Sequence, residues 1–352
     1  MSHDKVKEQK TSQCSFTMAR RQRKRRRYSI RWLAEELGLA PSIVYYHLSR
    51  SIGWSRRVME HSDIPVFHNG YGSSLLKAIV VLRRSGLRFY TFPPNGAPWP
   101  WILVNVYSLS TLEKYLKALA NIGLRVEHVL LDVGVEKYWK KPYDKLSFDY
   151  DKVYWDNLLE SISRLRELAR RYGFNYMVTT PDYPDDYVST WKRSHALWVD
   201  EYTNIDRTIE NIVYVVDHYR EIPWLPVAQG YWETPKSIAY SIEQLASLGV
   251  LDRFGRVALG NLCTTKNARM IAETIALARI TLRELDRPNI YVHVFGPGLS
   301  GIKKALNHLV PGSWDSTAWT FPRGPHLWSC KNSEERLMYF LFYLKHIYEV
   351  LS

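Results

Sequence analysis

The sequence predicts an α/β fold, a (β/α)8 TIM barrel that carries a small N-terminal helix-turn-helix. From about residue 101 onward, short apolar segments alternate with amphipathic segments of helical period. Apolar strands joined by helical crossovers are parallel strands buried on both faces, and seven or eight such units in about 270 residues suit a closed barrel. The chain has neither a dinucleotide-binding glycine fingerprint nor a GxxxxGK[ST] loop, which would have favoured an open doubly wound sheet.

Length and composition bound the class of protein. A chain of 352 residues can bury one large core with an appendage, or two ordinary domains. Its hydrophobic content of 46% and charged content of 24% are typical of soluble globular proteins, and no apolar run is long enough for a membrane span. Three widely spaced cysteines without CxxC spacing argue against a disulfide scaffold. We therefore expect a cytoplasmic protein with no membrane partner.

The positive charge is concentrated at the start of the chain. Residues 1–62 hold 14 Lys and Arg against 5 Asp and Glu, and so carry +9 of the net charge of +13. Residues 1–27 are polar and end in a basic block, which repels itself and does not fold alone. We predict a disordered arm that orders on a nucleic-acid backbone, with a solvated tail as the alternative. The contacts predicted in this arm are Arg23, Lys24, Arg25, Arg26 and Arg27.

Residues 28–62 contain the clearest local motif, which predicts a helix-turn-helix. Ser29 caps a first helix, Gly38 supplies the turn with positive φ, and Pro41 opens a second helix. The spacing of small and apolar residues around the turn is typical of DNA-binding units, although such units also serve as protein–protein modules. The residues predicted to face the major groove are Ser42, Tyr45, Tyr46 and Arg50.

Residues 63–352 form the predicted barrel domain. Apolar runs bounded by turn residues predict the strands, and apolar residues at helical spacing predict the helices. The predicted strands are 87–92, 102–107, 128–132, 175–180, 225–229, 256–260, 290–296 and 313–316. The predicted helices are 73–85, 110–122, 154–172, 204–219, 235–248, 266–285, 300–309 and 333–351.

Polar residues and glycines follow the predicted strands at their carboxyl ends, where a barrel of this type builds its site. Asp315 stands between Trp314 and Trp319, and a carboxylate desolvated by indoles suits a nucleophile or proton carrier; a capping residue is the alternative. His293 is interpreted as a hydrogen-bonded barrel residue and Cys263 as a small buried one. Any single one of these residues could be a plain turn residue, but their succession indicates a site. The set is Asp132, Asp182, Gln229, Gly260, Asn261, His293, Gly296 and Asp315.

Six short motifs give this set a family resemblance. In chain order they are Asp132-Val133-Gly134, Pro181-Asp182-Tyr183-Pro184, Pro226-Val227-Ala228-Gln229-Gly230, Gly260-Asn261-Leu262-Cys263, His293-Val294-Phe295-Gly296 and Trp314-Asp315-Ser316-Thr317-Ala318-Trp319. They resemble the successive motifs of the tRNA-guanine transglycosylase superfamily. The fourth and sixth are most similar to its DNA-modifying branch, the deazapurine DNA modification transglycosylases. The resemblance covers about residues 101–325 and depends on the order and spacing of the motifs.

The resemblance implies an enzyme, a glycosyltransferase that exchanges guanine in DNA for a 7-deazaguanine such as 7-cyano-7-deazaguanine. Asp315 would attack the anomeric carbon of a flipped-out guanosine and form a covalent ester. Asp132 would carry the proton of the leaving and entering bases. No cofactor is expected, because one glycosidic bond replaces another.

The resemblance also implies a base pocket. Asp182 would accept hydrogen bonds from the N1 and exocyclic amine of guanine, while Gln229 and the backbone at Gly260 would hold the base carbonyl and the 7-substituent. The residues expected to bind the substrate are Asp182, Gln229, Gly260, Asn261 and Tyr138.

The chain departs from the tRNA enzymes at two places. It has Val-Gly-Val-Glu at 133–136 in place of Gly-Gly-aromatic, so Tyr138 or Trp139 takes the base-stacking role. The zinc-binding cysteines are missing, and His326 and Cys330 alone fall short of a four-coordinate site, so no metal is expected. DNA is the expected partner; tRNA as substrate, and a non-catalytic DNA-binding regulator that senses a deazapurine, are the alternatives. Since the target base must be flipped out of the duplex, partner proteins that open the strands are further candidate partners.

Overall fold

The computed structural model describes residues 72–134, 152–184, 204–231, 234–263, 265–320 and 333–352. The basic arm, the helix-turn-helix and Tyr138 lie outside these residues, as do Trp139, His326 and Cys330. Among the described helices, none is both long enough and apolar enough to cross a bilayer.

Parallel strands and helices alternate through the described residues. The strands are β1 (Leu87–Tyr90), β2 (Trp101–Asn105), β3 (His128–Asp132), β4 (Asn175–Thr179), β5 (Trp224–Leu225), β6 (Val227–Ala228), β7 (Arg256–Leu259), β8 (Tyr291–Val294) and β9 (Gly312–Asp315). The α-helices are α1 (Gly72–Arg84), α2 (Leu109–Ala120), α3 (Lys152–Tyr172), α4 (Asn204–His218), α5 (Ser237–Ser247), α6 (Val250–Phe254), α7 (Ala268–Glu284), α8 (Leu299–Leu309) and α9 (Ser333–Leu351).

The strands form two sheets in which every pair is parallel. One sheet has the order β1-β9-β8-β7-β6 and the other the order β2-β3-β4-β5. Strands of this kind are buried on both faces, which explains the three consecutive apolar residues at 129–131 in β3 and at 257–259 in β7. The predicted α/β class with parallel strands is confirmed.

The two sheets are connected at both of their edges, by the chain itself between β5 and β6 and by backbone hydrogen bonds after β1. Only Pro226 separates β5 from β6, and its carbonyl accepts a hydrogen bond from Ala258 N of β7 at 2.7 Å. At the other edge Thr91, which follows β1, donates to Trp101 O at 3.2 Å and accepts from Leu103 N at 3.3 Å. Residues 224–228 therefore pair with both sheets: β5 pairs with β4, and β6 pairs with β7.

Alternation along β9 assigns its side chains to opposite faces. Trp314 is fully buried and packs against Phe89, with ring centroids 5.5 Å apart, and Phe89 in turn contacts Tyr343 of α9 at 5.2 Å. Trp314 therefore points toward the helix layer. Because successive strand residues point to opposite faces, Ser313 and Asp315 share the other face.

Arg279 of α7 holds the starts of β8 and β9 in place. Its side chain is 1% exposed, and its guanidinium donates to Ile290 O at 2.8 Å and to Pro311 O at 3.1 Å, just before those strands. It also donates to the carbonyls of Pro288 and His308. The donors of this buried guanidinium all meet carbonyl oxygens, so Arg279 provides hydrogen bonds for the backbone acceptors that precede both strands.

Element bounds differ from the sequence predictions where side chains end a strand early. The predicted strand 102–107 ends at Asn105, whose side chain accepts a hydrogen bond from Tyr107 N at 3.0 Å and starts a 3₁₀ turn. The predicted strand 225–229 is broken at Pro226, which has no N–H for the ladder. The five-residue helix α6 was not predicted; it lies between Gly249 and Gly255, both with positive φ.

His128, at the start of β3, makes stability depend on pH. Its Nδ1 lies 3.0 Å from the Tyr90 hydroxyl oxygen, within hydrogen-bond distance. Burial, and then the positive charges of Arg88 and Arg256, lower the pKa of His128 to about 3 from its ordinary 6.5. Between these two values the unfolded chain binds a proton that the folded chain refuses, so the free energy of unfolding falls as the pH drops below about 6.5.

We expect His128→Asn, which keeps a hydrogen-bonding amide near the Nδ1 position but does not titrate, to reduce this pH dependence. The wild type should lose up to about 1.4 kcal/mol more per pH unit than the variant between pH 6 and pH 5. Urea unfolding of both proteins at matched pH values measures the difference. Parallel stability curves for the two proteins would contradict this account of His128.

Candidate active site

Asp315 at the end of β9 is a buried carboxylate with one oxygen held from two sides. The residue is 8% exposed, and its Oδ1 accepts from His293 Nε2 at 3.2 Å and from Gly296 N at 3.1 Å. Among the described residues, none donates a hydrogen bond to Oδ2. The geometry therefore fixes the carboxylate through Oδ1 and leaves Oδ2 without a donor among the described residues.

His293 connects Asp315 to a hydroxyl deeper in the sheet. Its imidazole is fully buried, and its Nδ1 lies 2.8 Å from Ser313 Oγ. Since Nε2–H donates to the carboxylate, Nδ1 is the acceptor for the Ser313 hydroxyl, so the two contacts together specify one tautomer. Ser313 has no exposed surface from which to attack a substrate, which makes this a positioning arrangement. The expectation that His293 is a hydrogen-bonded strand residue is confirmed.

Gly296 can place its backbone N–H against Asp315 because it has no side chain. Its φ is +58°, in the left-handed region, and a Cβ there would lie 2.8 Å from Cys263 Sγ. Any larger residue would move the loop and with it the N–H that meets Asp315. Cys263 itself is exposed, so the expectation of a buried cysteine was wrong; it lies in the loop after β7 rather than in the strand.

Asp182 and Gln229 form a second polar pair, at the ends of β4 and β6. Gln229 is 1% exposed, and its Nε2 donates to Asp182 Oδ2. Gln229 Oε1 is buried and accepts no hydrogen bond from the described residues. Gly260 makes room for this amide, because a Cβ there would overlap it. The Gly260 N–H is already used by Ala228 O at 2.9 Å.

Asn261 folds back on the turn that follows β6. It has a φ of +54°, and its Nδ2 donates to Tyr231 O at 2.9 Å. Gly230 lies so close that a Cβ there would meet Asn261 Nδ2 at 2.9 Å. The Asn261 amide thus supports the turn next to Gln229.

Asp132 ends β3 in the other sheet and is half-buried. Its Oδ1 accepts from Gly134 N at 3.0 Å, and it stands in register with Asn105 at the end of β2. A Cβ at Gly134 would lie 2.6 Å from a ring carbon of Tyr107, so the glycine permits a tight turn beneath that ring. These contacts orient the carboxylate at the end of its strand.

The structure therefore places every described member of the predicted set at or just after the carboxyl end of a strand. It brings together Asp315, His293 and Gly296 in one group, and Asp182, Gln229 and Gly260 in another. Sequence reasoning missed Ser313. The signal was its position two residues before Asp315, which puts both side chains on the same face of a strand.

The expected flanking of Asp315 by two indoles was wrong for Trp314, which points to the opposite face of β9. Trp319 donates its Nε1–H to Thr91 Oγ1 at 3.2 Å and contacts the ring of Phe340. Tyr343 of α9, also missed, is the buried group behind the strand. Burial raises the pKa of Tyr343 to about 12; its neighbours Trp314 and Ser316 lower it, and the charge of Asp315 raises it further.

In the part of the chain that the structure describes, no group of three His, Cys, Asp or Glu side chains is placed to hold a metal ion. The chain matches no protein-family model, and no curated protein matches it. Fold and site together define a parallel α/β protein with an anchored, buried carboxylate at a strand end.

Proposed function

We propose that the two sheets form one closed (β/α)8 barrel. If β5 and β6 are counted as a single strand broken at Pro226, the nine strands occupy eight positions. Support comes from Thr91, which donates to Trp101 O and accepts from Leu103 N. Bonding to residues on either side of a partner position is the pattern of a parallel pair, here between the end of β1 and β2. The strand ends that carry Asp132, Asp182, Gln229 and Asp315 would then surround one mouth.

We further propose that the chain is a base-exchange transglycosylase that replaces guanine in DNA by a 7-deazaguanine. The observation that carries this proposal is the Asp315 carboxylate, held at Oδ1 by two donors with Oδ2 left to react. A fixed carboxylate in a water-poor site is the group that retaining glycosyl transfer requires as its nucleophile. The resemblance of the six motifs supports the choice of guanine exchange within this class.

The first half of the reaction breaks the bond to guanine. Asp315 Oδ2 attacks C1′ of a flipped-out nucleotide, and the C1′–N9 bond breaks with its electron pair going to N9. Asp132 in its acid form gives N9 a proton, so guanine leaves neutral. The sugar remains as an ester of Asp315, on the face opposite to the departed base.

The second half reverses these roles. A 7-deazaguanine enters, Asp132 takes the proton from its N9, and N9 attacks C1′. The ester bond breaks and its electron pair returns to Asp315 as carboxylate. Both steps together restore the protein and exchange one glycosidic bond for another, so no co-reactant is consumed.

Asp182 and Gln229 provide an acceptor edge for the base. Ionised Asp182 accepts hydrogen bonds only, and Gln229 Oε1 is a buried acceptor without a donor among the described residues. The N1–H and amino group of guanine and of 7-deazaguanines are donors that match both. Because Gln229 Nε2 already donates to Asp182, we assign Gln229 to the donor edge of the base rather than to its carbonyl. Gly260 contributes space, since its N–H is occupied.

The test is transfer of labelled 7-cyano-7-deazaguanine to nucleic acid. We expect label in guanine-containing DNA and none in tRNA or in DNA that lacks guanine. Label in tRNA alone would make the chain a tRNA enzyme. Saturable DNA binding without label in any substrate would instead favour a regulator, and a parallel assay on single-stranded DNA tests whether strand opening needs a partner.

The basic arm is expected to set the salt dependence of DNA binding. Replacing Arg23, Lys24, Arg25, Arg26 and Arg27 by Gln in the full chain removes five positive charges. The slope of log K against log salt should flatten by about 0.9 for each phosphate that the arm no longer neutralises. A fluorescence anisotropy titration at several salt concentrations measures it, with Asp315→Asn as the control of unchanged slope. An unchanged slope in the arm variant would exclude the arm from DNA binding.

His293 is expected to act through Asp315, and two amide variants separate its contacts. His293→Gln places an amide nitrogen near the Nε2 position and keeps a donor for Asp315; His293→Asn reaches only the Nδ1 position beside Ser313. Loss of a hydrogen bond to a charged group costs about 1.5–3 kcal/mol, or roughly a 10- to 150-fold effect. We expect kcat to fall by this factor in His293→Asn, with KM for the base unchanged. The kcat of His293→Gln should stay near the wild-type value. Equal loss in both variants would show that His293 is only part of the core.

A further inference from the structure

Two arginines lie toward the opposite end of the strands from Asp315. Arg88 is the second residue of β1, and Arg256 is the first residue of β7. Tyr291 at the start of β8 is in register with Arg256, and the Arg88 guanidinium lies 5.6 Å from the centroid of the Tyr291 ring. All three side chains are half-buried. We call these three residues the arginine cluster.

Neither guanidinium has a carboxylate partner among the described residues. Arg256 Nε donates to Phe254 O at 2.9 Å. This bond uses one of the five N–H donors of the guanidinium and does not neutralise its positive charge. The charges of both arginines lower the pKa of His128, after the larger effect of burial, so both lie close to that imidazole. Burial is the largest cause of the lowered pKa of Arg256; Tyr90 and Tyr291 raise this pKa, and the charge of Arg88 lowers it.

Other arginines of the described chain do find carboxylates. Arg164, which is exposed, pairs with Glu113 at 2.8 Å, and Arg287, which is half-buried, pairs with Asp252 at 2.6 Å. Burial disfavours both guanidiniums, although Tyr90 and Tyr291 outweigh it at Arg88 and raise the pKa of that residue. No carboxylate among the described residues balances either charge. Such an arrangement is stabilised when an anion binds between the cations.

The Tyr291 hydroxyl is a further buried polar group at the arginine cluster, close to Arg88, Ser313 and Tyr90. Its oxygen is shielded from solvent and makes no hydrogen bond of standard geometry with the described residues. Burial raises the pKa of Tyr291, while the nearby Arg88, Ser313 and Tyr90 lower it. A neutral phenol next to two guanidiniums is a further donor for an anion.

We propose that Arg88, Arg256 and Tyr291 form an anion site for a phosphate group at the amino ends of β1, β7 and β8. The planar guanidinium matches the geometry of a phosphate group and can donate two parallel N–H···O hydrogen bonds to its oxygens. The site does not depend on the transglycosylase proposal, although Arg88 is in register with Ser313, which contacts His293 of the Asp315 group. Inorganic phosphate and the phosphate of a small nucleotide offer the same chemistry.

Thermal unfolding of the full-length protein tests the site with two probes, inorganic phosphate and guanosine 5′-monophosphate, against chloride at matched ionic strength. We expect a saturable rise in Tm with phosphate that chloride does not give. Arg88→Met and Arg256→Met should each weaken the apparent affinity about tenfold or more, as loss of a charge-assisted hydrogen bond requires. Arg253→Met, an exposed neighbour on α6, serves as the matched control and should respond like the wild type.

Without phosphate, Arg256→Met should unfold at the wild-type temperature or above it, because it removes a desolvated charge that Arg88 repels. A stronger response to the nucleotide than to inorganic phosphate would assign the site to a nucleotide; the reverse would assign it to free phosphate. An equal response to chloride, or the same phosphate response in all variants, would overturn the proposal. Lower stability of both variants without a change in phosphate response would show that the arginines serve the fold alone.

Discussion

Replacing Asp315 by Asn is expected to abolish base exchange, with a loss of roughly 10⁴-fold or more in kcat, as removal of a covalent nucleophile usually gives. Asn keeps an oxygen at the Oδ1 position, so the donors His293 Nε2–H and Gly296 N–H remain satisfied. What it removes is the negative charge and the free oxygen that attacks C1′. The measurement is the rate of label transfer from a 7-deazaguanine to duplex DNA.

DNA affinity provides the control for that variant. The predicted DNA-binding residues lie in residues 1–62, so Asp315→Asn should bind DNA within about twofold of the wild type, a change of under 0.5 kcal/mol. Asp315→Ala checks that slow deamidation of the Asn does not restore activity. Substantial exchange by Asp315→Ala would remove this carboxylate from the chemistry.

Replacing Asp132 by Asn is expected to give the second-largest loss, about 10²- to 10⁴-fold in kcat, the range for a missing general acid–base group. The Asn side chain keeps the acceptor for Gly134 N, so the turn after β3 stays in place. It cannot release or take up the proton that N9 needs. We therefore expect impaired cleavage and impaired recapture of the sugar.

A pH–rate profile separates this role from simple binding. If Asp132 carries the proton, the limb of the profile that reports its ionisation should disappear in Asp132→Asn. Asn105→Ala, at the neighbouring strand end in register with Asp132, provides a control that leaves the carboxylate in place. A variant with reduced activity but an unchanged profile would show that Asp132 only supports the turn.

Sequence reasoning predicted the features that depend on local pattern. The apolar runs of β3 and β7 and the helical spacing of α3 and α7 predict parallel α/β units, because those patterns report burial directly. The positions of Asp132, Asp182 and Asp315 at strand ends follow from the same pattern. Where chemistry interrupts the pattern, as Pro226 does between β5 and β6, the predicted strand was too long.

The contacts that make the site could not be predicted in this way. Asp315 meets His293 only because β8 pairs with β9 in a register that sets His293 beside Ser313. Gln229 meets Asp182 because β5 and β6 follow β4 across a helical crossover. Register between strands distant in sequence depends on packing of the whole sheet. The side of β9 taken by Trp314 was misjudged for a simpler reason, since neighbours in a strand point to opposite faces.

The covalent intermediate is the most direct test of the central claim that Asp315 is the nucleophile. The protein is incubated with a guanine-containing DNA oligonucleotide and no acceptor base, denatured, digested and measured by mass spectrometry. We predict a mass increase equal to the oligonucleotide less guanine on the peptide that contains Asp315, removed when a 7-deazaguanine is added before denaturation. Label exchange without any adduct, or an adduct on another carboxylate such as Asp132 or Asp182, would contradict the account.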